Sequence, residues 1–275
     1  MVLGAIISIQ LGAAVAVGLF SEIGAAGVVF LRALAGALVL SAIWRPGLPR
    51  DRDSLRLMLL FGVSLAGVNL CFYESIDRIP LGTAVTLEFI GPLAVAVFTS
   101  GRRRDWLWAG LAAIGIVLLT GGIGGSELDP LGIALALGAG FFWGAYILLG
   151  KRVGAESPGG GGLALAMLFS AVLTAPFGIP SGGTDLLLPT VIATGIAVGV
   201  LSAAIPFSLE LEAMRRLPSS VFGVMMSIEP AVAAAVGLVF LGQVIEPLQV
   251  VAVLLVVAAS AGALSTSRTP VPLEP

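Results

Sequence analysis

Three ionisable residues, Arg32, Glu88 and Glu229, stand inside apolar runs that carry no other charge. Carboxyl groups in so poor a solvent can exchange protons near neutral pH or hold an ammonium group. A zwitterionic solute would offer its ammonium to such a carboxylate, and its own carboxylate to Arg32 or to a helix N-terminus. Arg32 can equally be satisfied by an ion pair with Glu88. Each glutamate lies close to a proline. Pro92 has no amide for the carbonyl of Glu88 four residues earlier, and Pro230 leaves the carbonyl of Met226 in the same position. Both predict a kink beside a carboxyl group, and Pro206 is a third candidate hinge.

A second group of polar or amphipathic residues falls in the same kind of run: Gln10, Asn69, Tyr73, Trp143 and Tyr146. They are candidate substrate contacts, and each also reads as a helix-to-helix hydrogen bond or packing group. Glu74, Glu210 and Glu212 sit near run ends and read as interfacial or gating groups. The chain has no histidine and one cysteine, Cys71, in an apolar run, which argues against metal, haem, iron–sulfur and disulfide chemistry. Neither a phosphate-binding Walker loop nor a nucleophile elbow is found, so no cofactor is expected and the chain does not read as an enzyme.

The elements that carry these residues must cross a membrane. Of 275 residues, 58% are hydrophobic and 11% charged, against about a quarter charged in soluble domains; the mean hydropathy is +1.09. Between charged clusters the apolar runs are roughly 17–24 residues long, enough to cross about 30 Å of hydrocarbon. The predicted spans are 2–20, 24–44, 56–76, 80–99, 106–122, 130–150, 162–179, 189–210, 219–241 and 248–265. The expected fold class is therefore an all-α membrane protein with ten transmembrane helices. The first run has no basic leader, and Gly4, Ser8, Gly12 and Ala16 recur every four residues, which suits a retained helix rather than a signal peptide.

Placing the N-terminus in the cytoplasm puts twelve loop Lys and Arg residues on that side and Arg78 alone outside. Basic residues are retained on the cytoplasmic side, so both termini are expected there, in a bacterial inner membrane. Trp44, Trp106 and Trp108 then fall at the cytoplasmic interface, and Trp143 lies well within a span. A net charge of −2 with no long basic run argues against nucleic acid as a partner.

An ungapped shift of 138 positions superposes 74–80 on 212–218 and Pro92 on Pro230, matching Glu, Arg, Pro and Pro. Five spans separate the copies, an odd number, so the halves are expected to have inverted topology. Two five-helix repeats are read, 1–125 and 126–275. Along the spans, Glu88 lies about 12 Å and Glu229 about 16 Å from opposite faces of the membrane, both near its midplane. Broken helices at repeat-related positions point to a transporter site between the halves.

The run from Ile79 to Ala96, with Leu87-Glu88-Phe89-Ile90-Gly91-Pro92 at its centre, closely resembles the threonine/homoserine exporter branch of the EamA group in the drug/metabolite transporter superfamily. So do Ser8-Ile9-Gln10, Phe72-Tyr73, Ala139-Gly140 with Trp143, Tyr146-Ile147, Ser202-Ala203, Pro206-Phe207-Ser208-Leu209-Glu210 and Met226-Ser227-Ile228-Glu229-Pro230-Ala231. The resemblance covers nearly the whole chain. It implies ten helices in an inverted repeat and ion-driven efflux of amino acids or related metabolites. Two positions depart from the family pattern. Val17 stands where relatives often carry lysine, which leaves Arg32 as the one intramembrane cation. Gly242-Gln243 replaces Gly-Glu after span 9, a change expected to touch only an external turn.

The leading expectation is a secondary transporter exporting small amino-acid-like metabolites by alternating access, coupled to protons or another ion, as a monomer or homodimer in the lipid bilayer. Efflux of lipophilic cations or drugs is the alternative, with Trp143 and Tyr146 as its aromatic seed. A non-transporting scaffold or lipid-processing enzyme is the alternative of another class.

Overall fold

The structure is a computed structural model and describes residues 1–49, 51–100, 105–119, 128–156, 160–206, 209–210, 213 and 225–266. The basic cluster 102–104, Glu127, Glu212, Arg215, Arg216, Arg268 and the 125/126 boundary between the two expected repeats lie outside the described residues.

All regular structure among the described residues is helical. The elements are α1 (Val2–Val17), α2 (Phe20–Trp44), α3 (Arg52–Ile76), α4 (Leu81–Glu88), α5 (Ile90–Ser100), α6 (Asp105–Leu119), α7 (Pro130–Glu156) and α8 (Gly161–Gly182). After a short 3-10 turn come α9 (Pro189–Gly199), which continues as a π turn over Val200–Ala204, then α10 (Glu229–Leu241) and α11 (Pro247–Thr266). Among the described residues, four helices are long and apolar enough to cross a membrane by themselves: Phe20–Trp44, Arg52–Ile76, Pro130–Gly150 and Gly161–Leu187. Six shorter apolar helices, counting the broken pair 81–95 once, bring the described segments to ten.

Sequence punctuation explains the helix ends. The Asp51 carboxylate accepts from the Ser54 amide at 2.7 Å and starts α3. That bond holds the exposed Asp51 carboxyl below its ordinary value. Pro189 and Pro230 open α9 and α10, where the missing amide costs nothing. Gly242, at φ 63°, closes α10 in the left-handed region that favours glycine. Inside α2, Gly24 has φ 67° and bends the helix; the Ile23 carbonyl at the bend accepts from Ser181 Oγ at 2.9 Å.

Packing relies on small residues, because lipid supplies no hydrophobic drive and helices cohere by close approach. α2 lies along α8, α3 along α7, α6 along α11 and α4 along α10. A β-carbon on Gly82 would meet Ala234, and one on Gly199 would meet Ala35. The polarity of the bundle is that of a membrane protein. Leu107, Phe141, Val172 and Val239 are each more than two-thirds exposed, while Gln10, Arg32, Asn69, Thr86, Glu88, Ser202 and Glu229 are buried.

Helix ends meet in pairs that match chain crossings. At one end Arg78 reaches Asp129 (3.9 Å), Ser75 Oγ donates to the Gly132 carbonyl (2.8 Å), and Leu81 meets Gln243. At the other, Trp44 packs on Gly160 and Trp108 on Gly262. The expected breaks are present. Span 4 is interrupted at Phe89 and span 9 at Ser227–Ile228, and the 138-residue shift pairs Phe89 with Ser227. In the eighth span, expected over 189–210 with Pro206 as a candidate hinge, a π turn occupies Val200–Ala204.

The expectation for Gln243 needs correcting. Its Oε1 accepts from the Leu81 amide at 3.0 Å, so it caps the start of α4 instead of merely lining a turn.

Candidate functional site

The site begins with a proline. Ile205 donates to the carbonyl of Val200 in π register. One residue further on, the π-register partner of the Leu201 carbonyl and the α-register partner of the Ser202 carbonyl are the same residue, Pro206, which has no amide. Both carbonyls are taken from outside the helix. Ser8 Oγ donates to Leu201 O at 2.6 Å, and Arg32 Nη2 to Ser202 O at 2.8 Å. The close approach of α1 that this needs is made at Gly12, where a β-carbon would meet Ser202 and Leu201. π turns recur at functional sites because they release backbone groups in this way.

Arg32 is thereby the hub of three elements. Its Nε donates to Ser202 Oγ at 2.6 Å and its Nη1 to Asn69 Oδ1 on α3. Asn69 is itself held by Nδ2 donating to the Leu65 carbonyl at 2.6 Å, and Ser202 Oγ donates to Val198 O at 2.6 Å. The guanidinium lies over the Tyr73 ring, 5.7 Å from its centroid. The alternative of an Arg32–Glu88 ion pair is not found: among the described residues every ion pair within 4 Å is made by Arg78.

Glu88 ends α4 at the break and is buried. With Pro92 unable to bond its carbonyl, that oxygen faces α7 at Gly140, where a β-carbon would strike it. Gly91 and Gly140 pack backbone to backbone, so α7 closes directly over the interruption. The neighbouring Phe89 ring meets Trp143 edge-on at 5.2 Å. Glu88 is within Coulombic reach of Glu229 and Arg32.

Glu229 opens α10 beside Pro230, also buried. Its Oε1 accepts from Gln10 Nε2 at 3.1 Å. Glu210, half-buried beyond the π turn, is within Coulombic reach of Glu229 and of Tyr146.

The structure therefore groups the candidates in two linked clusters. Arg32, Asn69 and Tyr73 form one, joined by Ser202 and Ser8. Gln10 and Glu229 form the other, with Glu88 between them electrostatically. Trp143 belongs to the Glu88 break. Tyr146 stacks on Phe61 at 4.9 Å and 11°, so the two aromatics expected to seed a cation cage are engaged by different neighbours. The sequence marked Ser8 only as one of a stripe of small residues and, like Ser202, Gly91 and Gly140, as part of the motifs that carry the resemblance; the offset of four between Ser202 and Pro206 was the available signal for more.

Comparison with known proteins follows the same lines. Residues 130–265 match the model of the EamA-like transporter family. The chain is 47% identical over 270 residues to the threonine/homoserine exporter RhtA of Escherichia coli K12, covering 98% of this chain and 91% of that one. It is 46% identical to the exporter of the same name from Salmonella typhimurium LT2, covering 95% and 89%. An uncharacterised transporter of Bacillus subtilis, YwfM, is 24% identical over 78% of this chain and 75% of its own. A solved crystal structure at 20% identity superposes with a TM-score of 0.64 over 96% of this chain and 95% of that one. Ten apolar helical segments with such relatives describe a multi-pass bacterial inner-membrane protein and not an enzyme, and the chain belongs to the EamA-like transporter family.

Proposed function

We propose that this protein exports threonine, homoserine and similar small amino acids, in exchange for protons, by alternating access. The observation that carries the reading is the near full-length likeness to exporters of that name. The interior supports it chemically. Two buried carboxyl groups are available to an ammonium or a proton, and Arg32 is the one buried cation among the described residues. Arg32 already spends donors on Ser202 and Asn69, so a substrate carboxylate would bind there by displacing those bonds.

The halves are read as inverted repeats with both termini cytoplasmic. Helix pairing supports this, because its principal contacts map onto one another when each of the first five spans is exchanged with its partner in the second five. Spans 2 and 7 pack together, as do 4 and 9, and 5 and 10; the packing of 3 on 6 is mirrored by that of 8 on 1. The matched breaks at Phe89 and Ser227 are further support. The substrate then lies where the halves meet, and their rocking exposes it to each side in turn.

In proteoliposomes, labelled threonine or homoserine should accumulate when a pH gradient is imposed and not otherwise. Absence of uptake for every small amino acid, with movement of cationic dyes instead, would overturn the assignment.

A further inference from the structure

Gln10 and Glu229 pose a problem of lone pairs. Gln10 is 1% exposed and Glu229 5%. One bond joins them, from Gln10 Nε2 to Glu229 Oε1 at 3.1 Å. The other two oxygens, Gln10 Oε1 and Glu229 Oε2, are fully buried and find no partner among the described residues. A carboxylate and an amide oxygen are both acceptors, so the pair lacks a donor. Leaving two such atoms unpaired in a dry interior would cost about 1–3 kcal/mol each.

Candidates for the missing donor are few. Among the described residues, the charged groups facing the pair are Glu88 on α4 and Glu210 beyond the π turn, both acids. Arg32 on α2 faces Glu88 but donates to Ser202 and Asn69. α1 brings no titratable side chain at all. An ammonium group needs room, and two side chains this deeply buried leave little of it. A proton needs none.

We propose that Glu229 is the proton site of the transporter, holding the proton on Oε2 with Gln10 Oε1 as its acceptor, and that Glu88 is left to the substrate ammonium. The amide and the acid then bond reciprocally, Nε2–H to Oε1 and Oε2–H to the amide oxygen, so that both orphaned oxygens are used. Only the O–H bond forms and breaks. The proton comes from water on the external side and leaves to water on the cytoplasmic side, after which Gln10 has no donor to receive and the contact between α1 and α10 loosens. Gln10 is a positioning residue that makes α1 sense the charge on α10. The division of labour rests on the export reading above.

Infrared spectroscopy of the reconstituted protein tests it through the carbonyl stretch of a protonated buried carboxyl. At neutral pH the band should be present in the parent, absent in Glu229→Gln, and retained in Glu88→Gln. Gln10→Met should move it to higher frequency, since the hydrogen-bond acceptor is gone. Uptake driven by a pH gradient should fall at least about tenfold in Glu229→Gln. Should Glu229→Gln fail to fold, Glu229→Asp keeps the acid but draws it back from Gln10, and should show the same upward shift. A band lost in Glu88→Gln and kept in Glu229→Gln, or one indifferent to Gln10→Met, overturns the proposal. If the bands behave as expected while the parent moves no amino acid, the proton site stands and the substrate assignment fails.

Discussion

Arg32 Nη2 donates at 2.8 Å to the carbonyl of Ser202, the carbonyl that an α-helix would have bonded to residue 206 if that residue were not proline. The guanidinium fork also takes Ser202 Oγ and Asn69 Oδ1. One side chain thus joins α2, α3 and the π turn after α9. Lysine has the charge but not the planar fork, and cannot reach all three acceptors.

Arg32→Lys should therefore lower stability by about 2–4 kcal/mol, since hydrogen bonds from a charged donor contribute about 1.5–3 kcal/mol each and some are regained. Thermal unfolding in detergent measures it. Unchanged melting would mean that the three contacts are dispensable.

Pro206→Ala restores an amide at the position that releases the two carbonyls. The segment should then revert toward regular α-helix, with the bonds from Ser8 and Arg32 in competition with the new one. We expect melting at the parental temperature or above, with transport reduced roughly tenfold or more. Initial uptake rates beside melting curves separate the two effects.

Gly140→Ala places a methyl group against the Glu88 carbonyl and should cost about 1–3 kcal/mol by overpacking. Gly110, on α6, has nothing within 4 Å of the same position, so Gly110→Ala should stay within about 0.5 kcal/mol of the parent. Paired melting curves decide between a tight helix crossing and a general intolerance of larger residues.

Gln243→Ala removes the acceptor for the Leu81 amide and should cost about 0.5–2 kcal/mol, the range for lost helix caps. Gln243→Glu keeps an oxygen in place and should lie nearer the parent. Hydrogen exchange at the Leu81 amide reports the loss locally, and equal exchange in all three proteins would remove Gln243 from this role.

Much of this was legible in the chain because lipid makes its demands in composition. Apolar runs between charges located the helical segments, and the i−4 rule for Pro92 and Pro230 located both interruptions. The shape of the polar interior was less legible. Ser8 and Ser202 are hydroxyls in apolar helices, where such groups commonly bond their own preceding turn, so nothing in the residue type marks them as ligands of another helix. A five-residue π turn shifts the period too briefly to show in the pattern. Arg32 beside a span that carries a glutamate invited an ion pair, yet its fork is taken by the Ser202 carbonyl freed by Pro206, by Ser202 Oγ and by Asn69. Gln243 looked like a turn residue because its partner, the amide of Leu81, is 162 positions away.

That distant cap has a mechanical meaning. α4 and α10 are fastened at one end, where Gln243 grips Leu81 and Gly82 presses on Ala234, while the helix of each span is interrupted about halfway down. The two fastened segments are thereby tied to each other at that end. Any parting of the two spans therefore widens from the interruptions toward the opposite end, like shears turning on a rivet, and the two glutamates sit at the vertex where the blades begin to separate.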